Sequence, residues 1–367
     1  MGKIAWKRIL KVTLYNDSGE ALTFGNEDCI EETYSEDGSV RRTPKVGLRV
    51  EVSGTKYLSS MKDEFTIFIY NLDWMTIMKI NGTGDGKTGF HNVRIEVGYK
   101  SLNNGQPKKI FEGGVMYVSN NRSDLKQNKT ILICTSKLIA NAYKKRMNLT
   151  LSSGLNMYAA YKYLANKAGL TNIYVTPDVQ NKTISNDMPI NGDVISIFDN
   201  IVNSSNNLTS STVTAVSTDS TTDADGTDAS LNVLSLFKTP KRTISINASD
   251  GLLINKYASV TTEGINFDAL CTINLSPGDL IRMDNSLIDV SAGSKSEAIK
   301  MASTMVKIDQ NTEKTASNET TVTQYGYYYV WQVSYHLDNA YGDFTQSVVC
   351  KSRNLLSGIT SDSSDSE

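Results

Sequence analysis

Alternation of apolar and polar residues dominates the first 135 positions of the chain. Over 46–53, and again over 93–99, every second residue is apolar. This period of two is typical of strands with one buried and one solvated face. The run 65–70 is apolar on both faces, which suits a central strand that is covered on each side. Several such strands separated by polar turns predict a β-barrel or sandwich over residues 1–135.

The spacing becomes helical after residue 150. Apolar residues recur three and four positions apart over 155–168, which predicts a helix capped by Ser152 or Ser153 and ended by Gly169. A second stripe predicts a helix over 193–203, with Asp193 as its N-cap. A short strand lies between the two helices. Residues 136–205 are therefore interpreted as a small α/β domain.

The remaining third of the chain returns to a β pattern after a polar segment. Residues 206–229 are mostly Ser, Thr, Asp, Asn, Ala and Gly, which bury too little apolar area to offset the entropy of ordering, so a mobile loop is expected. Residues 230–355 predict a second β domain with a helix near 294–307. In its clearest strand, alternate residues from Tyr327 to Leu337 form one aromatic face. The polar tail 356–367 is expected to be disordered.

The predicted fold class is thus mainly β with α+β parts. Two β-barrel domains, at 1–135 and 230–355, flank the small α/β insert at 136–205. A chain of 367 residues has room for two or more domains, because single cores rarely grow past roughly 250–300 residues.

Composition narrows the function classes. The formal net charge of −2 gives no reason to expect a nucleic-acid-binding surface. None of the four cysteines forms a CxxC pair, and Cys134 and Cys350, in apolar strand-like runs, are interpreted as buried thiols. No apolar run approaches the roughly 18–20 residues that cross a bilayer. No signal peptide is visible at the start, so folding in a reducing cytoplasm is expected.

A glycine-rich run at 82–88 invites comparison with a phosphate-binding loop. The first glycine of that motif is absent, and a strand follows where the motif needs a helix N-terminus. The run is interpreted as a hairpin tip with Lys87 in solvent.

Candidate chemistry elsewhere is sparse. The two histidines, His91 and His336, have no Cys or His at metal-ligand spacing and are interpreted as structural or surface residues. The acid pairs Glu31–Glu32, Asp63–Glu64 and Asp223/Asp225 fall in predicted loops or strand ends, and are interpreted as structural or solvated carboxylates. No catalytic residue, cofactor-binding residue, cofactor or metal ligand is therefore predicted.

Several motifs, in their order along the chain, resemble the hub proteins of phage tail baseplates. The segments that resemble the first barrel of these hubs are 63–72, 93–99 and 110–115. The segments that resemble the second barrel are 247–253, 262–270, 275–279, 326–336 and 343–350. The α/β unit with Pro177 and the helix from Asp193 also match the family order. Residues 204–229 have no counterpart in the family.

The resemblance implies a structural protein and not an enzyme. Hubs of this kind resemble two fused tail-tube subunits, so that three chains present six barrels and adapt a six-fold tube to a three-fold spike. The implied partners are two further copies of the chain, the tail tube or tube-initiator protein, the central spike protein and other baseplate proteins. The tape-measure protein and DNA would pass through the lumen without specific binding. The implied location is the virion tail, assembled in the host cytoplasm.

Subunit contacts are expected on the strands around Phe65–Asn71, Val93–Tyr99 and Tyr327–Leu337. The head of a type VI secretion spike has a related architecture and would give nearly the same sequence pattern.

Two other functions remain as alternatives. One is a tail-associated peptidoglycan hydrolase. The other is a receptor- or glycan-binding tail protein that uses Tyr158, Tyr161 and Tyr163 as stacking platforms. These tyrosines lie on or beside the apolar stripe of the first predicted helix, which favours core packing.

Overall fold

The computed structural model describes residues 8–25, 30–34, 40–44, 48–58, 63–82, 89–101, 105–121, 128–136, 146–167, 173–209, 213–216, 231–235, 242–247, 252–261, 263–289, 325–340 and 342–352. Most of these residues are in strands, and the prediction of a mainly β fold with α+β parts is confirmed.

The elements follow one another in three groups. The first group is β1 (Arg8–Tyr15), β2 (Ala21–Gly25), β3 (Ile30–Tyr34), β4 (Val40–Pro44), β5 (Val50–Tyr57), β6 (Glu64–Tyr70), α1 (Trp74–Asn81), β7 (Asn92–Tyr99), β8 (Lys108–Asn121) and β9 (Lys129–Ser136). The second group is β10 (Arg146–Leu151), α2 (Met157–Lys167), β11 (Ile173–Val175), α3 (Pro177–Gln180), β12 (Met188–Asp193), α4 (Val194–Thr209), β13 (Val213–Val216) and β14 (Leu231–Ser235). The third group is β15 (Thr243–Ile246), β16 (Ala258–Val260), β17 (Gly264–Leu270), β18 (Leu280–Asp284), β19 (Ile288–Asp289), β20 (Tyr325–Asp338) and β21 (Phe344–Ser352).

One 14-stranded sheet takes its strands from both ends of the chain. Its order is β19-β16-β17-β21-β20-β5-β6-β9-β8-β7-β1-β2, with β18 also paired to β20 and β15 to β18. The strands β5–β9 with β1 and β2 are termed the N-terminal unit, and β15–β21 the C-terminal unit. Because β5 pairs antiparallel with β20, the two units form one continuous sheet. This β5–β20 pairing is termed the joint.

A single apolar core runs beneath both units. It contains buried residues from β1, β5, β6, β7 and β9 together with residues from β17, β20 and β21. The rings of Phe65 and Phe111 stack at 4.2 Å between centroids, and Tyr335 of the C-terminal unit lies 5.8 Å from Phe65. Gly54 of β5 stands opposite both Phe65 and Tyr335 in the ladders. A Cβ at Gly54 would lie 2.2 Å from the Phe65 ring, so any residue other than glycine would clash with the ring in this position.

A partly buried carboxylate ties together three strands of the N-terminal unit. Glu112 of β8 accepts hydrogen bonds from the Tyr15 hydroxyl at 2.8 Å and from Lys109 Nζ at 3.0 Å. Arg94 of β7 lies 3.5 Å away. Burial raises the pKa of Glu112, but these hydrogen bonds and the charges of Lys109 and Arg94 outweigh it, so the pKa lies below its ordinary value.

The middle of the chain has its own apolar core between α2, α4 and short strands. Its strands form two small sheets, β10–β12 and β11–β14–β13. Asp193 accepts a hydrogen bond from the backbone N–H of Ser196 at 2.9 Å, which confirms it as the cap of α4. At the start of α2, the side chain of Asn156 accepts from the backbone N–H of Tyr158, where Ser152 or Ser153 was predicted to be the cap.

Two sequence-based predictions differ from the structure. The polar stretch predicted as a loop contains the end of α4, to Thr209, and the strand β13. Helical hydrogen bonding and pairing with β14 order these residues despite their poor apolar content. Gly82 ends helix α1 in a left-handed conformation, with φ of 70°, so a helix precedes the glycine-rich run where a hairpin needs a strand. The rest of the run, 83–88 with Lys87, lies outside the described residues. The predicted helix at 294–307 and the tail 356–367 lie outside the described residues.

The aromatic face predicted for β20 is divided by a β-bulge between Val330 and Gln332. Before the bulge, Tyr328 and Val330 face the shared core. After it, the alternation shifts by one residue, and Val333, Tyr335 and Leu337 face the same core. Tyr329 lies on the other face, in a small cluster with Leu58 and Leu280.

Substitution of Gly54 by alanine should destabilise the protein, because the new methyl group must displace the stacked Phe65 ring. We expect a loss of about 1–3 kcal/mol in the free energy of unfolding measured by chemical denaturation. Ser53→Ala, at the exposed neighbouring position of β5, serves as the control and should change stability little. Equal stability of Gly54→Ala and wild type would contradict this packing.

Substitution of Glu112 by glutamine should make stability less dependent on pH in the acid range. A carboxylate whose folded pKa lies below its ordinary 4.5 stabilises the fold above that pH, and the effect is lost as pH falls through the folded pKa. We expect Glu112→Gln to be less stable than wild type by about 1–2 kcal/mol at pH 7, with the difference shrinking below pH 4.5. Unfolding curves from pH 3 to 7 measure it, with exposed Glu64→Gln as the control. A difference that does not change with pH would contradict the assignment.

Candidate functional site

The titratable residues that the sequence analysis considered lie apart from one another where the structure describes them. Within the described ranges, no group of three or more His, Cys, Asp or Glu side chains could hold a metal ion. His91 lies just before β7 and His336 lies in β20, and both are exposed. Glu31 and Glu32 lie in β3, Asp63 accepts a hydrogen bond from the backbone N–H of Tyr57, and Asp223 and Asp225 are outside the described residues.

The three described cysteines are unreactive because their thiols are buried. Cys134 and Cys350 are fully buried free thiols, as predicted, and Cys271 is a third. Burial raises the pKa of Cys271 to about 12 and that of the other two further, so none is a thiolate at neutral pH. Cys29 lies outside the described residues. Among the helices that the structure describes, none has the length and apolar character to cross a membrane.

The three tyrosines considered as glycan platforms do not form one surface. Tyr161 is fully buried, and its hydroxyl lies 2.8 Å from Ser205 Oγ. Tyr158 is half-buried against the α/β core. Tyr163 is exposed, with Lys167 Nζ 5.6 Å from its ring. The helix therefore places them around its circumference.

The feature with the most specific geometry is the joint. Seven residue pairs run from Gln332 opposite Tyr57 to Asp338 opposite Glu51. The backbone N–H of Leu58 donates to the carbonyl of Trp331 at 2.9 Å and extends the ladder to the bulge. Trp331 is therefore the point where β20 passes from its partner β18 to its partner β5.

Charged and amide groups close one end of the joint. Arg49 Nη2 donates to Asp338 Oδ2 at 2.7 Å and to Glu51 Oε1 at 2.8 Å. The hydrogen bond to Asp338 is the main reason why the pKa of Arg49 is raised. Asn339 donates to the carbonyl of Leu48 at 2.9 Å and accepts from the N–H of Val50 at 2.9 Å. Both units thus satisfy each other's polar groups where the sheet would otherwise fray.

A second polar contact joins the two units away from the joint. Asn274 donates to the carbonyl of Lys109 in β8 at 3.0 Å. Arg242 donates to the Asn274 carbonyl at 2.7 Å and pairs through two nitrogens with the carboxylate of Asp279. The hydroxyl of the fully buried Tyr335 donates to the carbonyl of Leu275 at 3.1 Å, and burial raises its pKa well above the ordinary value.

The two units repeat the same strand arrangement. In the N-terminal unit, β5-β6-β9-β8-β7 are neighbours in that order, and in the C-terminal unit the order is β16-β17-β21-β20-β18. In each unit these strands also follow the same sequence order, since β19 is the only added strand between β18 and β20 among the described residues. Both β8 and β20 are 14 residues long, and both are followed by a hairpin partner.

The repeat extends to single residues. Val115 stands opposite Cys134 just before a bulge in β8, and Val330 stands opposite Cys350 just before the bulge in β20. Ser136 and Ser352, two residues after these cysteines, are both buried. The backbone N–H of Val115 donates to the carbonyl of His91 at 2.8 Å, and that of Val330 to the carbonyl of Asp279 at 2.9 Å. The sequence carries a trace of this repeat in the two Cys-x-Ser triplets that close β9 and β21, which sequence reasoning missed.

The equivalent strands β8 and β20 differ in their pairing partners after the bulge. In β20, the residues beyond Trp331 pair with β5. In β8, the pairing with β7 ends at Val115, and no strand of the described residues pairs with Met116–Asn120 on that side. Met116 is 45% exposed and Tyr117 58% exposed. The backbone edge of Met116–Asn120 that faces away from β9 is termed the β8 edge.

The strands expected to carry subunit contacts lie inside the sheet. β6 pairs with β5 and β9, β7 pairs with β1 and β8, and β20 pairs with β21 on one side and with β18 and β5 on the other. Their backbone edges are therefore occupied within the chain, and further strand pairing has to use other edges.

Comparisons with known proteins gave structural matches only. No protein-family model matches the chain, and no curated protein matches its sequence. The 43 kDa tail protein of prophage MuSo2 from Shewanella oneidensis matches with a TM-score of 0.44 and 9% identity, over 95% of this chain and 99% of that one. A tail protein from Neisseria meningitidis MC58 matches with a TM-score of 0.44 and 11% identity, over 96% and 98% of the two chains.

A third solved structure is an Escherichia coli component of the type VI secretion system, described as structurally similar to the T4 bacteriophage tail proteins gp27 and gp5. It matches with a TM-score of 0.45 and 8% identity, over 83% of this chain and 73% of that one. These three solved structures are thus two phage tail proteins and a type VI secretion component.

Proposed function

We propose that this chain is the structural hub of a phage tail baseplate. In this proposal three copies form a ring that adapts a six-fold tail tube to a three-fold central spike. The observation that supports it is the internal repeat: one chain contains two units with the same strand order, bulge and hairpin, joined edge to edge in one sheet.

The repeat supports a ring because the joint is heterologous. The edge strand β5 of one unit meets the long strand β20 of the other, and the two surfaces are different. Contacts of this kind close into rings when the rotation between successive units allows it. Three chains with two units each would supply six units, the number that the resemblance to tail hubs implies.

The polar contacts across the joint support a fixed geometry between the units. The groups around Asp338 and Asn339 hold one end of the joint, and the contact from Asn274 to Lys109 adds a second link between the units. Shared burial of aromatic residues adds to these contacts. A hub needs such rigidity, because the angle between consecutive units sets the diameter of the ring and of the lumen.

The α/β unit is the proposed binding surface for other baseplate proteins. Tyr174 of β11 packs against the cluster of Leu58, Leu280 and Tyr329, on the face of the sheet opposite the shared core. The unit is therefore attached to one face of the sheet near the joint. In a ring, it would offer a surface away from the strand edges, where peripheral proteins could bind without disturbing the tube.

The proposed partners are the tail tube or tube-initiator protein on one side of the ring and the central spike protein on the other. The tape-measure protein and DNA would pass through the lumen without specific binding. The mechanism is architectural, and the chain breaks no covalent bond. The proposed location is the virion tail.

Electron cryo-microscopy of the purified chain, with its mass from light scattering in the same buffer, tests the hub. We expect a three-fold ring with six similar β units around an open channel, and a mass three times the chain mass of 40.3 kDa. A single-chain mass would overturn a homotrimer that forms without other proteins. A particle without a channel would overturn the hub itself.

A further inference from the structure

Among the described residues, the repeat is incomplete at the β8 edge. Its counterpart in β20 begins at Trp331, which matches Met116, and continues through Gln332, which matches Tyr117. In the C-terminal unit, Gln332 is half-buried opposite Tyr57 of β5. In the N-terminal unit, Met116 and Tyr117 are exposed.

We propose that the β8 edge binds the C-terminal unit of a second copy of this chain, in the way that β20 binds β5 within one chain. This inference rests on the proposed function, and it names the partner surface. The occupant is the outer edge of β16 and β19, because β16 holds the place in its unit that β5 holds in the N-terminal unit.

The register of the ladders identifies the equivalent of β5. Gly54 of β5 stands opposite Phe65, which stands opposite Cys134. Val260 of β16 stands opposite Ile265, which stands opposite Cys350. Since Cys134 and Cys350 are equivalent, β16 is the counterpart of β5. Along the path of the described strands, β16 and its short partner β19 end the sheet, as β5 would end the N-terminal unit without the joint.

The chemistry of the β8 edge suits a strand of another chain. Unpaired N–H and C=O groups on an edge bind an incoming strand through backbone hydrogen bonds, and large apolar side chains beside them lose solvent on binding. Natural sheets protect exposed edges with charges or proline. Residues 116–120 are Met, Tyr, Val, Ser and Asn, which include neither.

The proposed contact between two chains differs from the internal joint in one respect. The outer edge of β16 is partly occupied by β19, which pairs with Ala258 and Ser259. The incoming surface therefore presents β19 together with Val260, Thr261, Glu263 and Gly264. The backbone N–H of Thr261 donates to the carbonyl of Gly264 at 2.9 Å, and the exposed Glu263 pairs with Lys351 at 2.8 Å.

A charge placed on the β8 edge tests the interface. Met116→Asp should weaken assembly by about tenfold or more in apparent dissociation constant, because burial of an unpaired carboxylate opposes association. Met75→Asp is the matched control, since Met75 is 72% exposed on helix α1, outside the strands of the sheet, and takes the same substitution. Assembly is measured by light scattering over a dilution series, and thermal unfolding checks that both variants fold like wild type.

The outcomes separate this inference from the hub proposal. A ring formed by wild type and Met75→Asp but not by Met116→Asp supports both. A ring that survives Met116→Asp overturns the β8 edge and leaves the hub. Assemblies of other symmetry that Met116→Asp dissolves support the edge and overturn the hub. A wild-type chain that stays monomeric throughout the dilution series overturns the edge as a self-association site.

Cross-linking identifies the occupant. Chains carrying Tyr117→Cys are mixed before assembly with chains carrying Glu263→Cys, both in a Cys29→Ser background, and treated with a short bismaleimide. Linked dimers should form in the mixture and be absent when either variant is treated alone. Met75→Cys replaces Tyr117→Cys in the control mixture. Equal linkage in the control, or no linkage in an assembled sample, would overturn the pairing of these two edges.

Discussion

The joint between β5 and β20 is the constraint on which the rest of the sheet depends. A strand at the edge of a sheet exposes backbone donors and acceptors, and burying them without partners costs about as much as the loss of hydrogen bonds. In this chain the edge strand β5 of the N-terminal unit pairs with the long strand β20 of the C-terminal unit, so its backbone groups have partners. Both units then share one apolar core, and neither half of that core would be fully covered alone.

The bulge in β20 makes the joint possible. A regular strand 14 residues long would keep one set of side chains on one face and twist gradually along its length. The extra residue at Trp331 increases the local twist and shifts the alternation, so the strand changes partner from β18 to β5 while its apolar residues stay on the core. The bulge in β8 at the same place shows that this device belongs to the repeated unit.

Polar groups buried at the joint make the geometry specific. Apolar burial alone tolerates sliding, but the buried Asn339, which donates to the carbonyl of Leu48 and accepts from the N–H of Val50, and the buried Asp338, which accepts from Arg49, fit only one register. Each buried polar group adds little net stability, yet any alternative register would leave it without a partner. For a protein proposed to set the angle between ring units, a single register matters more than a few additional kilocalories.

The sequence by itself determined the elements whose pattern is local. The alternation in β5 and β7, the stripe of α4 with its cap Asp193, and the burial of Cys134 and Cys350 all follow from side-chain periodicity and composition. Only the tertiary structure decided the pairing of β5 with β20, the bulge that divides the aromatic face, and the edge left at Met116–Asn120. These depend on contacts between residues hundreds of positions apart, and strand periodicity carries no information about which strand is the neighbour. Local pattern therefore specified the strands, and the need to pair every buried backbone group specified the sheet.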